Sequence, residues 1–209
     1  DQMRDRWEGS YSELNLAGRA RVSDSDEAAD GAWTYRRREA MLRLIYMSCW
    51  HLSAVESAAM WELYQREGRG VAIRSTWGTL TQSITDHRWV NGAKVNYVDY
   101  SQVLIPESNV FYAFLHKRES FAHEKEVRLL MLGGQPNAED DIVADFDEQT
   151  WTSEGPVVPI AVNLANLIDA VYVAPEAPEW IRSIVAGLTS QYGYHFPIRQ
   201  SDLDRDPIA

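Results

Sequence analysis

A chain of 209 residues with 45% hydrophobic content is long enough to bury one sizeable core, and it contains no run of about 18 apolar residues that would read as a membrane span. Its net charge of -11 repels phosphate backbones at long range, which argues against non-specific DNA or RNA binding while leaving room for a small nucleotide in a local basic pocket. The single cysteine, Cys49, cannot form an internal disulfide and no signal peptide is evident, so the expectation is a soluble, cytoplasmic protein with one compact domain over residues 1–209. The opening Asp5-Arg6-Trp7-Glu8-Gly9 reads as the middle of a structure, which implies an N-terminal segment before it.

Residues 10–32 are small, polar and acidic, without apolar periodicity, and read as a mobile loop. Leu42 to Trp50 is an apolar run of strand length. Ser53 with Glu56 fits a capping box for a helix that Gly68 would end, with Glu56, Met60, Leu63 and Tyr64 on one side and Trp61 on an adjoining stripe. A strand over Val71 to Ser75 follows, then a weak helix from Thr79 to Trp89, a strand from Ala93 to Tyr100, and a helical stretch from Phe111 to Glu119. The next segment, Phe121 to Leu132, reads as a strand. An acidic loop over 135–155 precedes strands at Val157 to Val162 and Ala170 to Ala174, a helix between Pro178 and Gly193, and a last strand from His195 to Arg199. Strands and helices that do not alternate strictly predict an α+β fold with mixed sheets and flanking helices.

In the Phe121 to Leu132 segment a period of two sets Val127, Leu129 and Met131 on one face and Glu124, Glu126 and Arg128 on the other. Two carboxylates and a guanidinium in one row make either a solvated ion-pair surface or a site in which the two glutamates divide acid-base work. A second cluster, from Ser48 to Tyr64, gathers Trp50, His51, Ser53, Trp61 and Tyr64 around a strand-to-helix turn. His51 alone is more often structural than a ligand, Trp61 and Tyr64 are more often core than stacking platforms, and Cys49 reads as a small buried hydrophobe rather than a nucleophile. The five histidines lack metal-ligand spacing and Gly68-Arg69-Gly70 matches no phosphate loop, so no metal and no classical nucleotide fold are expected.

Cys49-Trp50-His51, Glu56-Ser57, Met60-Trp61, Tyr64, Gly70 to Ile73, Val95-x-Tyr97, Asp99-Tyr100, Lys117 and Phe121-x-x-Glu124-x-Glu126-Val127-Arg128 resemble the bacterial domain-of-unknown-function 2971 family. Asp5-x-x-Glu8-Gly9 resembles its Asp-x-x-Glu-Gly element, and Val171-Tyr172-Val173-x-Pro175 with Trp180 its C-terminal strand and helix, while the family's upstream aromatic-Arg-Tyr segment has no counterpart. The order of a strand ending near Ser48, a helix, a strand at Val71 to Ser75 and a Glu-x-Glu-Val strand is similar, more weakly, to ADP-ribosyltransferases. That likeness implies a split β-sandwich with NAD as substrate. Glu126 would face the nicotinamide ribose, Glu124 would activate the acceptor, and Ser48 would supply the serine element. The arginine element would come from the preceding segment, Arg43 or Arg36.

The expected function is therefore an ADP-ribosyltransferase-like enzyme with Glu124 and Glu126 as catalytic groups, and Ser48, Trp50, His51, Ser53, Trp61, Tyr64, Lys117 and Arg128 as substrate-binding ones. The alternative is a non-catalytic module that senses a nucleotide or binds a protein in phage defence or a toxin-antitoxin system. A magnesium nuclease on Glu124 and Glu126 is disfavoured by the acidic surface and the want of a third carboxylate at a telling spacing.

Overall fold

The computed structural model describes residues 5–22, 38–39, 41–65, 68–136 and 151–205. Its contacts gather into two compact units, Asp1–Leu52 with Arg88–Pro159, and Ser53–His87 with Ile160–Ala209. The class is α+β: three- and two-stranded sheets with short helices between them.

The first unit is built on β1 (Ile45–His51), β3 (Asn91–Lys94) and β6 (Glu126–Leu132), with β6 central and antiparallel to both neighbours. At Val95 the chain changes partner. Its amide still donates to the Glu126 carbonyl at 3.0 Å, but the next amide, Asn96, donates to Leu115 at 2.8 Å. From there β4 (Asn96–Val98) runs parallel to β5 (His116–Arg118). The expected continuous strand from Ala93 to Tyr100 is thus two strands in two sheets, because Val95 is drawn into the core at 7% exposure.

Met41, Ile45, Ala113, Phe114, Leu115 and Leu130 form the apolar core of this unit. Phe114 lies at the end of a 3-10 helix, Val110–Phe114, capped by the Asn109 side chain, so the helical stretch expected up to Glu119 stops early and β5 follows. The expected mobile segment is helical in part: α1 (Glu13–Val22) starts within it, and residues 23–32 lie outside the described set. Ser12 and Asn15 explain the helix start, since Ser12 Oγ accepts from the Asn15 amide at 3.2 Å and the Asn15 side chain is tied to Ile105. Of the acidic loop, residues 137–150 lie outside the described set, while β7 (Gln135–Pro136) and β8 (Trp151–Thr152) pair at its two ends.

The second unit centres on β9 (Ala170–Val173), buried throughout, with β10 (Ile198–Gln200) parallel on one side and β2 (Val71–Arg74) antiparallel on the other. Helix α2 (Ala58–Tyr64) starts at Ser57, not Ser53, because Glu56 is engaged elsewhere: its carboxylate accepts from Trp61 Nε1, Ser201 Oγ and the Asp202 amide at 3.0, 2.7 and 2.7 Å. Helices α3 (Trp77–Gln82) and α4 (Leu164–Leu167) are short, and α5 (Glu179–Gln191) carries an apolar stripe, Trp180, Ile184 and Leu188, that stays exposed. The strand expected at Val157 to Val162 is absent among the described residues, where only an isolated bridge joins Ile84 and Val162.

Phe114 is fully buried at the centre of the first core. Phe114→Ala is expected to cost about 3–5 kcal/mol through the cavity it leaves, measured by denaturant unfolding.

Candidate active site

The strand expected from Phe121 begins only at Glu126. Glu119–Glu124 is a 3-10 helix, and Lys125 closes it in the left-handed region at φ 43°. A non-glycine residue in that conformation costs on the order of 1–2 kcal/mol, and the hydrogen bond from the Leu52 amide to the Lys125 carbonyl, 2.9 Å, helps to hold it. The turn brings Glu124 alongside Glu126 by a bend of the backbone, not by strand alternation.

Lys117, on β5, meets both carboxylates. Its Nζ pairs with Glu124 Oε2 and donates to Glu126 Oε1 at 3.2 Å. Arg128 approaches Glu126 from the other side, with Nε donating to Oε2 at 2.6 Å and Nη2 also paired to it. Beyond Arg128 stands Glu8, whose Oε1 is matched to Nη2 by charge and not by a directed hydrogen bond. Arg128 Nη1 donates to the Phe114 carbonyl. The result is a chain of alternating sign, Glu8, Arg128, Glu126, Lys117, Glu124, with side-chain exposures of 5, 1, 8, 5 and 2%.

Desolvating five charges costs several kcal/mol per ion, and only mutual pairing with hydrogen bonds to the remaining donors offsets it. Gly9 permits part of this. At φ +72° it packs its α-carbon so tightly that an added Cβ would stand 2.8 Å from the Phe114 ring, and this contact seats Glu8 beside Arg128. Asp5 is held by the same turn, accepting from Trp7 N at 3.1 Å and from Arg118 Nε at 2.8 Å.

The two glutamates are driven apart in acidity. Burial, above all, pushes the Glu124 carboxyl up, against the pull of Lys117, and Glu126 adds to the push. Burial acts on Glu126 in the same sense, but the Arg128 charge, with Lys117 and hydrogen bonds, holds it below the usual carboxylate range. A split of this kind suits one carboxyl to proton transfer and the other to standing negative charge.

The register of β1 decides which predicted residues join this row. Directly opposed residues of an antiparallel pair share a face; Cys49 faces Arg128 and His51 faces Glu126. His51 Nδ1 donates to the Glu124 carbonyl at 2.6 Å. Ser48 and Trp50 oppose Leu129 and Val127 and so lie on the other face, where Trp50 Nε1 donates to Ser48 Oγ at 3.1 Å. Cys49 is exposed and so is not the small buried hydrophobe expected, while desolvation around its sulfur pushes the thiol up to about 11, which leaves little thiolate at neutral pH. Ser53, Trp61 and Tyr64 belong to the second unit, where Ser53 Oγ accepts from the Val55 amide and Trp61 is pegged to Glu56.

The site therefore joins Glu124, Glu126, Lys117, Arg128 and His51, and adds Glu8 and Tyr97. The Tyr97 hydroxyl accepts from the Glu126 amide at 2.8 Å. Both additions had a signal in the sequence, the Asp-x-x-Glu-Gly element and Val-x-Tyr, although neither spacing says that Glu8 reaches Arg128 or that Tyr97 reaches Glu126. Among the described residues no group of three or more His, Cys, Asp or Glu side chains is arranged to hold a metal ion, and no helix is long and apolar enough to cross a membrane. Comparison with protein families, curated proteins and solved structures finds no match.

Two outcomes are expected. Arg128→Met leaves Glu8 buried without a counter-charge and Glu126 with Lys117 alone, and is expected to cost about 3–5 kcal/mol in denaturant unfolding. In a pH series of the same measurement, the folded chain keeps a proton on Glu124 that the unfolded chain has released, so stability falls as pH rises from the ordinary glutamate range through the raised pKa. Glu126 acts oppositely: its contribution is present above the ordinary range and is lost as pH falls through its lowered pKa. Glu124→Gln is expected to abolish the first slope and keep the second.

Proposed function

We propose that the chain is an ADP-ribosyltransferase-like enzyme that breaks the bond between nicotinamide and ribose in NAD. The observation that carries this reading is the buried carboxylate pair bridged by Lys117, with Glu126 held ionised and Glu124 held towards its protonated form. As the glycosidic bond breaks, its electron pair passes to the nicotinamide nitrogen and cancels the ring's positive charge. The Glu126 carboxylate then opposes the positive charge growing on the ribose C1′, in a site where little water screens it. Glu124, once deprotonated, takes the proton of the acceptor that attacks C1′. Ser48, on the other face of the sheet from Glu126, has no part in these steps.

A second reading, a non-catalytic module that senses a nucleotide or binds a protein in phage defence or a toxin-antitoxin system, is favoured by one observation. Each carboxylate of the row already has a cation inside the protein. Incubation with NAD and candidate acceptors separates the two. The enzyme reading expects nicotinamide release, with Glu126→Gln lowering the rate by about 10²–10³-fold at unchanged NAD binding. No release, or an unaffected Glu126→Gln variant, overturns it, and a tryptophan fluorescence response to nucleotides without turnover selects the sensor.

A further inference from the structure

We propose that Glu8 is a positioning residue that fixes how many protons the Glu124–Glu126 pair carries, acting through Arg128. The inference rests on the preceding reading only where it calls that pair catalytic. It starts from a count of charges. Glu8, Glu124 and Glu126 are three carboxylates, Arg128 and Lys117 are two cations, and all five side chains are at most 8% exposed. With so little water, a net charge of one is costly, and the cheapest correction is to keep one proton.

The geometry says which carboxyl keeps it. Arg128 lies between Glu8 and Glu126, and Lys117 between Glu126 and Glu124. Glu126 thus touches both cations, Glu8 takes its share of Arg128, and Glu124 at the end of the row has, among the described residues, only Lys117. The proton falls to Glu124. Were Glu8 neutral, two carboxylates would face two cations and no proton would be required.

Among the described residues, the other groups around Glu124 on the neighbouring elements are engaged away from its carboxyl. On β1, Cys49 is a neutral thiol and the His51 ring is turned to the Glu124 carbonyl, not to its carboxyl. On β4 the Tyr97 hydroxyl is bound to the Glu126 amide, and on β5 His116 Nδ1 donates to the Tyr112 carbonyl at 2.7 Å. Arg118 is matched by Asp5, which makes that pair neutral as a whole. Lys125 is exposed.

The consequence for chemistry is specific. A base that must first lose a retained proton works only above the pH at which it does so, and Glu8 sets that pH from the far end of the row. Glu8 touches neither the acceptor nor the pair's reacting atoms; it acts by occupying one side of Arg128.

The test is a carboxyl ¹³C titration of the full chain labelled at glutamate, read without substrate. In the wild type, Glu124 is expected to titrate above the ordinary glutamate range. In Glu8→Gln its midpoint moves to lower pH and the protonated fraction at fixed pH falls several-fold, whereas Glu8→Asp, which keeps the charge, stays close to the wild type. An unchanged Glu124 midpoint in folded Glu8→Gln overturns the proposal. So does a wild-type Glu124 that titrates as an ordinary glutamate, a result that stands even if Glu8→Gln fails to fold. Because the titration needs no NAD, its failure is distinct from an absence of nicotinamide release. Where turnover is present, the acid limb of the pH–rate profile shifts to lower pH in Glu8→Gln.

Discussion

Arg128 is the constraint around which the first unit is arranged. A guanidinium cannot shed its charge at any accessible pH, and this one is 1% exposed, in the central strand of a sheet where Leu130, on the same face, belongs to the apolar core and Ala93, opposite, packs against it. The fold has to bring counter-charges and acceptors to it. It does so with Glu126 from the same strand, Glu8 from the N-terminal turn and the Phe114 carbonyl from the end of a 3-10 helix. Several backbone features that look unrelated serve that delivery, among them the positive φ of Gly9 and the left-handed turn at Lys125.

The exchange of partners at Val95 has a similar standing. Because the chain leaves β6 and joins β5 between Lys94 and Asn96, it carries Tyr97 to the Glu126 amide and sets β5 where Lys117 reaches both glutamates. One buried valine thus links two sheets and places two of the groups that hold Glu126. A continuous strand would have kept hydrogen bonding to β6 and left Lys117 without a neighbouring strand.

Much of this was legible in the sequence, and the failures are instructive. The strands at Ile45–His51, Val71–Arg74 and Ala170–Val173 and the helix at Glu179–Gln191 announce themselves by apolar runs or periodicity, since local burial dictates those patterns. The Glu124, Glu126 and Arg128 row was also visible, but for an incomplete reason: alternation places Glu126 and Arg128 together, whereas Glu124 arrives through a turn at a lysine that no propensity would select. Ser48 and Cys49 differ by one position, and register alone, a property of two strands and not of one, decides which faces Arg128. Glu8 and Asp5 lie more than a hundred residues from their partners, a distance over which local pattern carries no information. Glu56 looked like the far half of a capping box; its carboxylate instead binds residues near the other end of the chain.

The row of alternating charges also bears on the order in which the chain can fold. Its members come from around residue 8, from 117 and from 124–128, and the sheet that shields them needs β1 and β3 as well. Each charge is well hydrated while the chain is open, and each loses that hydration only when the last shielding segment arrives. Closing these long loops is an entropic cost that precedes any reward from pairing. A partial assembly lacking the N-terminal turn would strand Arg128 with one counter-ion in a half-dry site, so that turn is less a loose end than the closing step that makes burial of the whole row tolerable.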